Sequence, residues 1–239
     1  MCTLEKRGDI FYLTLTGSDE HRLSPTLIAS LLSLLAEAAS QSTRGSVLVT
    51  TSVGKFFSNG FDLAWAQSAG SPDEAGRRLH QMVEDFQPVV AALISLPMPT
   101  VAAVQGHAAA AGLMLALSHD YVMMRSDRGV LYMSEVDIGL SLPEYFGALV
   151  RAKVGSAAAR REVLLRGRKV RGEEAVAMGI VEGAHAGEEG VAGAAARLAE
   201  ELAGRRWDGE VYAEIRKGLY PELCGVLGLA TKVFATPRL

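Results

Sequence analysis

Segments with strand character alternate with segments of helical spacing over roughly the first two-thirds of the chain, and from residue 143 helical spacing alone continues. A sheet built by such alternation must be covered by the intervening helices, so the order restricts the chain to an α/β core followed by a helical C-terminal region. Residues 10–16 read as a strand ended by Gly17, and 46–51, 100–104, 121–124 and 130–133 as further strands. Ser24-Pro25 reads as an N-cap with proline at the first helical position, and Leu27, Ile28, Leu31, Leu32, Leu35 and Ala38 follow at helical spacing. The pattern therefore predicts a helix over 25–40. A second, over 73–95, carries Leu79, Met82, Val83, Phe86, Val90 and Leu93 on one face and stops before Pro97 and Pro99. Residues 55–60 read as a loop, and 187–193 as the most linker-like stretch. The expected division is an α/β core over 1–185 and a helical region over 186–239.

Composition removes several classes of function. Hydrophobic residues make up 49% and charged residues 21%, with a formal net charge of −3 and no long basic run, which argues against nucleic acid as a partner. Cys2 and Cys224 lie far apart, so a disulfide framework or thiolate metal site is not expected and a reducing interior is. His21, His80, His107, His119 and His185 show no paired metal-ligand spacing. No apolar run reaches the roughly 18 residues of a membrane span, and the N-terminus carries charge where a signal peptide needs its apolar stretch. Pro237-Arg238-Leu239 has the small/basic/Leu pattern of a peroxisomal import signal, which implies an import receptor as partner. The competing reading is an arbitrary tail on a cytoplasmic protein.

Two segments carry the chemistry. Lys55-Phe56-Phe57-Ser58-Asn59-Gly60-Phe61-Asp62-Leu63 and the stretch 99–114 each run from a strand through a glycine turn into a helix. The first turn of a helix leaves backbone N–H groups without internal partners, and small residues let another group approach them. Such groups are suited to holding an oxyanion. An ordinary strand-to-helix loop, or alanines chosen for close packing, is the bland reading of each segment alone.

In order and spacing the two segments resemble the signature loops of the enoyl-CoA hydratase/isomerase (crotonase) superfamily, and within it the plant-type peroxisomal isomerases. Residues 56–63 are similar to its F-x-x-G-x-D-L element and 101–116 to its A-A-V-x-G-x-A-x-G-G-G element. His119-Asp120-Tyr121, Ser134 to Leu140 and Glu173 to Val181 resemble three further elements, so the match spans residues 8–182. The resemblance implies a spiral of β-β-α units, a helical region that completes the acyl-CoA site and mediates a homotrimer, and an acyl-CoA thioester as substrate with no separate cofactor. It assigns the oxyanion donors to the backbone N–H groups of Phe61 and Ala111. The path of CoA falls to Ser58, Asn59, Gly60, Asp62, Leu63, Ala110 and Met114. Ala110-Ala111 stands where many members have Gly-Gly, which is tolerated if those residues adopt helical rather than positive φ.

Family hydratases carry two glutamates. Here the first position is Met114 and the second is Glu135. One carboxylate suffices to move a proton between carbons 2 and 4 of a 3-enoyl thioester, so the resemblance implies a Δ3,Δ2-enoyl-CoA isomerase of fatty acid β-oxidation with Glu135 as base. Glu144 is the alternate base, and Asp137 a third carboxylate expected to point elsewhere. His107 reads as a satisfied structural histidine. Phe61, Trp65 and Met82 are candidates for an acyl tunnel, and Arg22 and Lys55 for CoA phosphates. A hydratase or other crotonase thioester chemistry, and a non-catalytic acyl-CoA-binding subunit, are the alternative functions.

Overall fold

The computed structural model of the chain describes residues 1–234, so the Pro237-Arg238-Leu239 tripeptide lies outside the described residues. The first elements are β1 (Cys2–Arg7), β2 (Ile10–Leu15), α1 (Pro25–Ser40), β3 (Val47–Ser52), β4 (Phe56–Ser58), α2 (Leu63–Gln67) and α3 (Pro72–Ser95). Next come β5 (Thr100–Val104), β6 (His107–Ala109), α4 (Ala111–Leu117), β7 (Tyr121–Arg125), β8 (Val130–Tyr132) and α5 (Glu144–Lys153). The chain continues through α6 (Ala157–Arg160), a π-turn (Arg161–Leu165), β9 (Val170–Arg171), α7 (Gly172–Ala177), β10 (Gly183–His185), α8 (Gly187–Gly204), α9 (Gly209–Leu219) and α10 (Pro221–Val226).

A six-stranded sheet runs β1-β2-β3-β5-β7-β10 and a four-stranded sheet runs β4-β6-β8-β9. From β2 onward the large sheet is parallel, as are β4, β6 and β8. From β3 to α5 each unit of the chain thus places one strand in the large sheet, the next in the small sheet, and then helix. This is a repeated β-β-α spiral. The main core contains Phe11, Leu31, Phe57, Phe86, Leu113 and Phe146, and a second cluster lies where Val191, Ala195, Ala199 and Leu202 of α8 meet Ile10, Val47, Val49, Val101 and Ala103.

The helix ends follow their sequence signals. The Ser24 hydroxyl accepts from Leu27 N–H, and α3 ends at Ser95 with the extended Leu96 as its C-cap. Several features differ from the sequence expectation. Residues 2–7 form an edge strand, and 56–58 are strand β4 rather than loop. Two short strands, β9 and β10, interrupt the otherwise helical stretch after 143. Residues 187–193 are the first turns of α8 rather than a linker, because Val191 and Ala195 are buried on the large sheet.

The C-terminal helices are tied to the core by a buried ion pair. Arg216 of α9 donates from Nε to Asp120 Oδ1 (2.6 Å) and from Nη1 to the Leu96 carbonyl (2.8 Å), while Asp120 also accepts from the Thr100 N–H (2.9 Å). Beside it, burial pushes the His119 imidazole down to about 4. The ring is therefore neutral, with Nδ1–H donating to the Leu115 carbonyl and Nε2 accepting from the Thr50 hydroxyl.

Candidate active site

Two turns from different β-β-α units meet at the site. A Cβ built on Gly112 would lie 2.2 Å from the Ser58 carbonyl oxygen, so only glycine lets α4 approach β4 this closely. Gly60, at φ +74°, turns the chain after β4. A Cβ there would lie 3.0 Å from Ala110 Cβ and 3.5 Å from Ala111 N, so the two turns are in contact. Gly60 C=O accepts from Leu23 N–H and Asp62 N–H donates to Leu23 C=O, which holds Phe61 between two bonded neighbours. Among the described residues, neither the Phe61 N–H nor the Ala111 N–H has a backbone acceptor. Unpaired donors on adjacent turns form a site for an oxygen that gains negative charge.

Ala110 corrects the sequence reading. It adopts φ +49° and ψ −125°, not a helical conformation. Its N–H remains in the small sheet, donating to Tyr132 C=O at 2.9 Å, while its C=O already accepts from Leu113 and Met114 at the start of α4. Turning from strand to helix within one residue forces the positive φ. The same bond connects the Ala111 turn to the end of β8, three residues before Glu135.

After β8 the chain enters a turn in which Leu140 N–H donates to Glu135 C=O at 2.9 Å. Glu135 is half-buried, and its Oε2 is buried without a hydrogen-bond partner among the described residues. Burial pushes its carboxyl above the ordinary range, against the opposing effect of its own and the Ser134 backbone N–H groups. It lines a cavity of about 480 Å³ together with Phe61, Phe146, Leu142 and Pro143. Among the described residues it is the one carboxylate lining that cavity. Glu144 is exposed at the start of α5 and lines a separate concavity with Arg151 and Arg160. Asp137 is exposed, as a turn residue rather than one alternating along a strand.

The remaining candidates divide between lining and support. Phe61 packs edge-on to Phe86 (5.8 Å between ring centroids) and parallel to Phe146 (6.3 Å). Met82 and Met114 are wholly buried in the main core and do not line the cavity, and Trp65 lies under the Arg78 guanidinium. Ser58 is buried with its hydroxyl donated to His21 C=O, so its side chain faces the interior rather than a ligand. Asp62 caps α2 by accepting from Trp65 N–H, Asn59 Nδ2 donates to Glu20, and Leu63 begins α2 half-buried. Arg22 pairs with Glu20, and the Lys55 ammonium lies over the Phe56 ring. His107 is not satisfied as expected: its Nδ1 is buried without a partner, and burial together with Lys55 and Arg128 holds its pKa down. Sequence reading missed the α3 wall of Gly76, Leu79, His80 and Val83. Their spacing of i, i+3, i+4, i+7 was the available signal, but part of it was absorbed into the core face.

Comparison with known proteins shows the family. The enoyl-CoA hydratase/isomerase family model matches residues 5–233. The chain is 72% identical to enoyl-CoA delta isomerase 2, peroxisomal, of Arabidopsis thaliana, over 100% of both chains. It is 52% identical to enoyl-CoA delta isomerase 1, peroxisomal, of the same plant, over 93% of this chain and 91% of the relative. A probable enoyl-CoA hydratase of Mycobacterium tuberculosis superposes with a TM-score of 0.84 at 22% identity, covering 95% of this chain and 91% of that one. At that identity the likeness speaks for the fold alone. The chain belongs to the enoyl-CoA hydratase/isomerase family.

Proposed function

We propose that the protein is a Δ3,Δ2-enoyl-CoA isomerase, converting 3-enoyl-CoA to 2-trans-enoyl-CoA in fatty acid β-oxidation. The observation that carries this reading is a single half-buried carboxylate, Glu135, in an apolar cavity that Phe61 also lines, beside unpaired N–H groups of Phe61 and Ala111. The thioester oxygen accepts from both N–H groups. The Glu135 carboxylate takes a proton from carbon 2, and the electron pair delocalises through the thioester and the neighbouring double bond as a dienolate. Protonated Glu135 returns the proton to carbon 4, the double bond forms between carbons 2 and 3, and the carbonyl is restored. No net redox change occurs and no cofactor is consumed, since CoA enters as part of the substrate.

Water addition needs a second acid–base group, and Met114 occupies that position as a wholly buried core residue. Isomerisation of a 3-enoyl-CoA should therefore exceed hydration of the matching 2-enoyl-CoA by about 10²-fold or more. Parallel absorbance assays on both substrates test this, and comparable rates would contradict it. The protein's place of work is the peroxisome, reached through an import receptor that binds Pro237-Arg238-Leu239. A reporter fusion should lose its punctate distribution when those residues are deleted. Its assembly is a homotrimer, supported by the exposed apolar side chains Val136, Ile138 and Leu165, and sedimentation measures it directly.

A further inference from the structure

Gly76 stands inside α3, where glycine is the least favourable residue apart from proline. Nothing in the fold requires it. Its φ is not positive, and a Cβ built there meets no atom within 4 Å. This contrasts with Gly112, whose Cβ would strike the Ser58 backbone. Gly76 nevertheless shares the cavity wall with Leu79, His80 and Val83, which occupy one face of α3. One turn beyond Val83, Phe86 meets the Phe61 ring at 5.8 Å, so the C-terminal end of this face is close to the oxyanion donors. Gly76 is two turns, about 10 Å, from Val83 along the helix. The face therefore runs from near the oxyanion donors to a position without a side chain.

We propose that Gly76 is a specificity-determining residue that keeps the distal end of the cleft open for long acyl tails. This rests on the isomerase reading only in taking a CoA thioester as ligand. A tail leaving the thioester passes Val83 first, then Leu79 and His80, and reaches Gly76 only when it is several carbons longer. The missing side chain provides the space for that last part. Short tails end before it.

The test is competition binding of saturated acyl-CoAs of increasing length, from butanoyl to palmitoyl, to the full-length protein and to Gly76→Ala and Gly76→Leu. Each methylene buried in an apolar cleft strengthens binding by about fourfold, the equivalent of about 0.8 kcal/mol. In the wild type this increment should persist to long tails. In Gly76→Leu it should stop several carbons earlier, lowering the long-to-short affinity ratio by at least tenfold, with a smaller effect in Gly76→Ala. Both substitutions favour helix, so thermal midpoints should not fall. An affinity ratio within twofold of wild type in Gly76→Leu would overturn the proposal. Because this readout needs no turnover, 3-enoyl-CoA assays on the same samples report on the isomerase reading separately.

Discussion

Glu135 has two properties that pull in opposite directions. Its carboxyl is held above the ordinary range chiefly by burial, yet it must be ionised to take a proton. Turnover should accordingly fall as pH drops through this raised pKa, giving an acid limb above that of a free carboxylate in the pH profile of kcat. The same shift affects stability. A carboxyl with a folded pKa above its unfolded value binds its proton more tightly when folded, so stability declines as pH rises from the unfolded to the folded pKa. Glu135→Gln removes this dependence. The variant's thermal midpoint relative to wild type should rise between pH 4 and pH 8, windows set on either side of the raised carboxyl (about the Glu reference value and well above it). A constant difference across that range would contradict the burial assigned to Glu135.

At the scale of elements, the turn from β6 to α4 carries the strain of the site. A non-glycine residue at φ +49° and ψ −125° costs about 1–3 kcal/mol, whereas glycine there adds only about 0.4–1 kcal/mol of unfolded-chain entropy. Ala110→Gly should therefore be neutral to stabilising by about 1 kcal/mol in urea unfolding. Ala110→Val should lose more than about 2 kcal/mol, because a β-branched residue is least tolerant of positive φ. Equal loss in both variants would show that the turn is not strained. This turn also shows where sequence reading stopped. The alanine stretch reads as helix by propensity, but its first part is strand β6, paired with β4 and β8. Three-residue strands such as β4 and β6 are too short for an alternating pattern. The long elements α1 and α3, with clear caps and stripes, were legible within a residue or so of their ends.

For the whole molecule, the Arg216–Asp120 pair joins the C-terminal helices to the core by contacts that no local pattern announces. The partners are 96 residues apart. With the Arg216 side chain only 2% exposed, its removal takes the cationic partner from Asp120, which keeps only its Thr100 donors, and leaves several carbonyls without the guanidinium. Arg216→Ala should destabilise by about 3–5 kcal/mol in chemical denaturation, and a loss under 1 kcal/mol would contradict the buried pairing. The alternation of strands and helices and the two glycine turns were legible because each is a local strand–turn–helix pattern, whereas the β-β-α spiral came only with the family resemblance. The cavity wall on α3 was not, because an apolar stripe looks the same whether it meets a core or a ligand. Nor did the sequence decide between Glu135 and Glu144, which differ in the cavities they line. The most direct test of the one-carboxylate mechanism is the turnover of a single 3-enoyl-CoA by wild type, Glu135→Gln and Glu144→Gln under saturating substrate. Glu135→Gln should lose about 10²-fold or more in kcat with little change in binding, and Glu144→Gln should stay within a few-fold of wild type. Near-normal turnover by Glu135→Gln would contradict the mechanism.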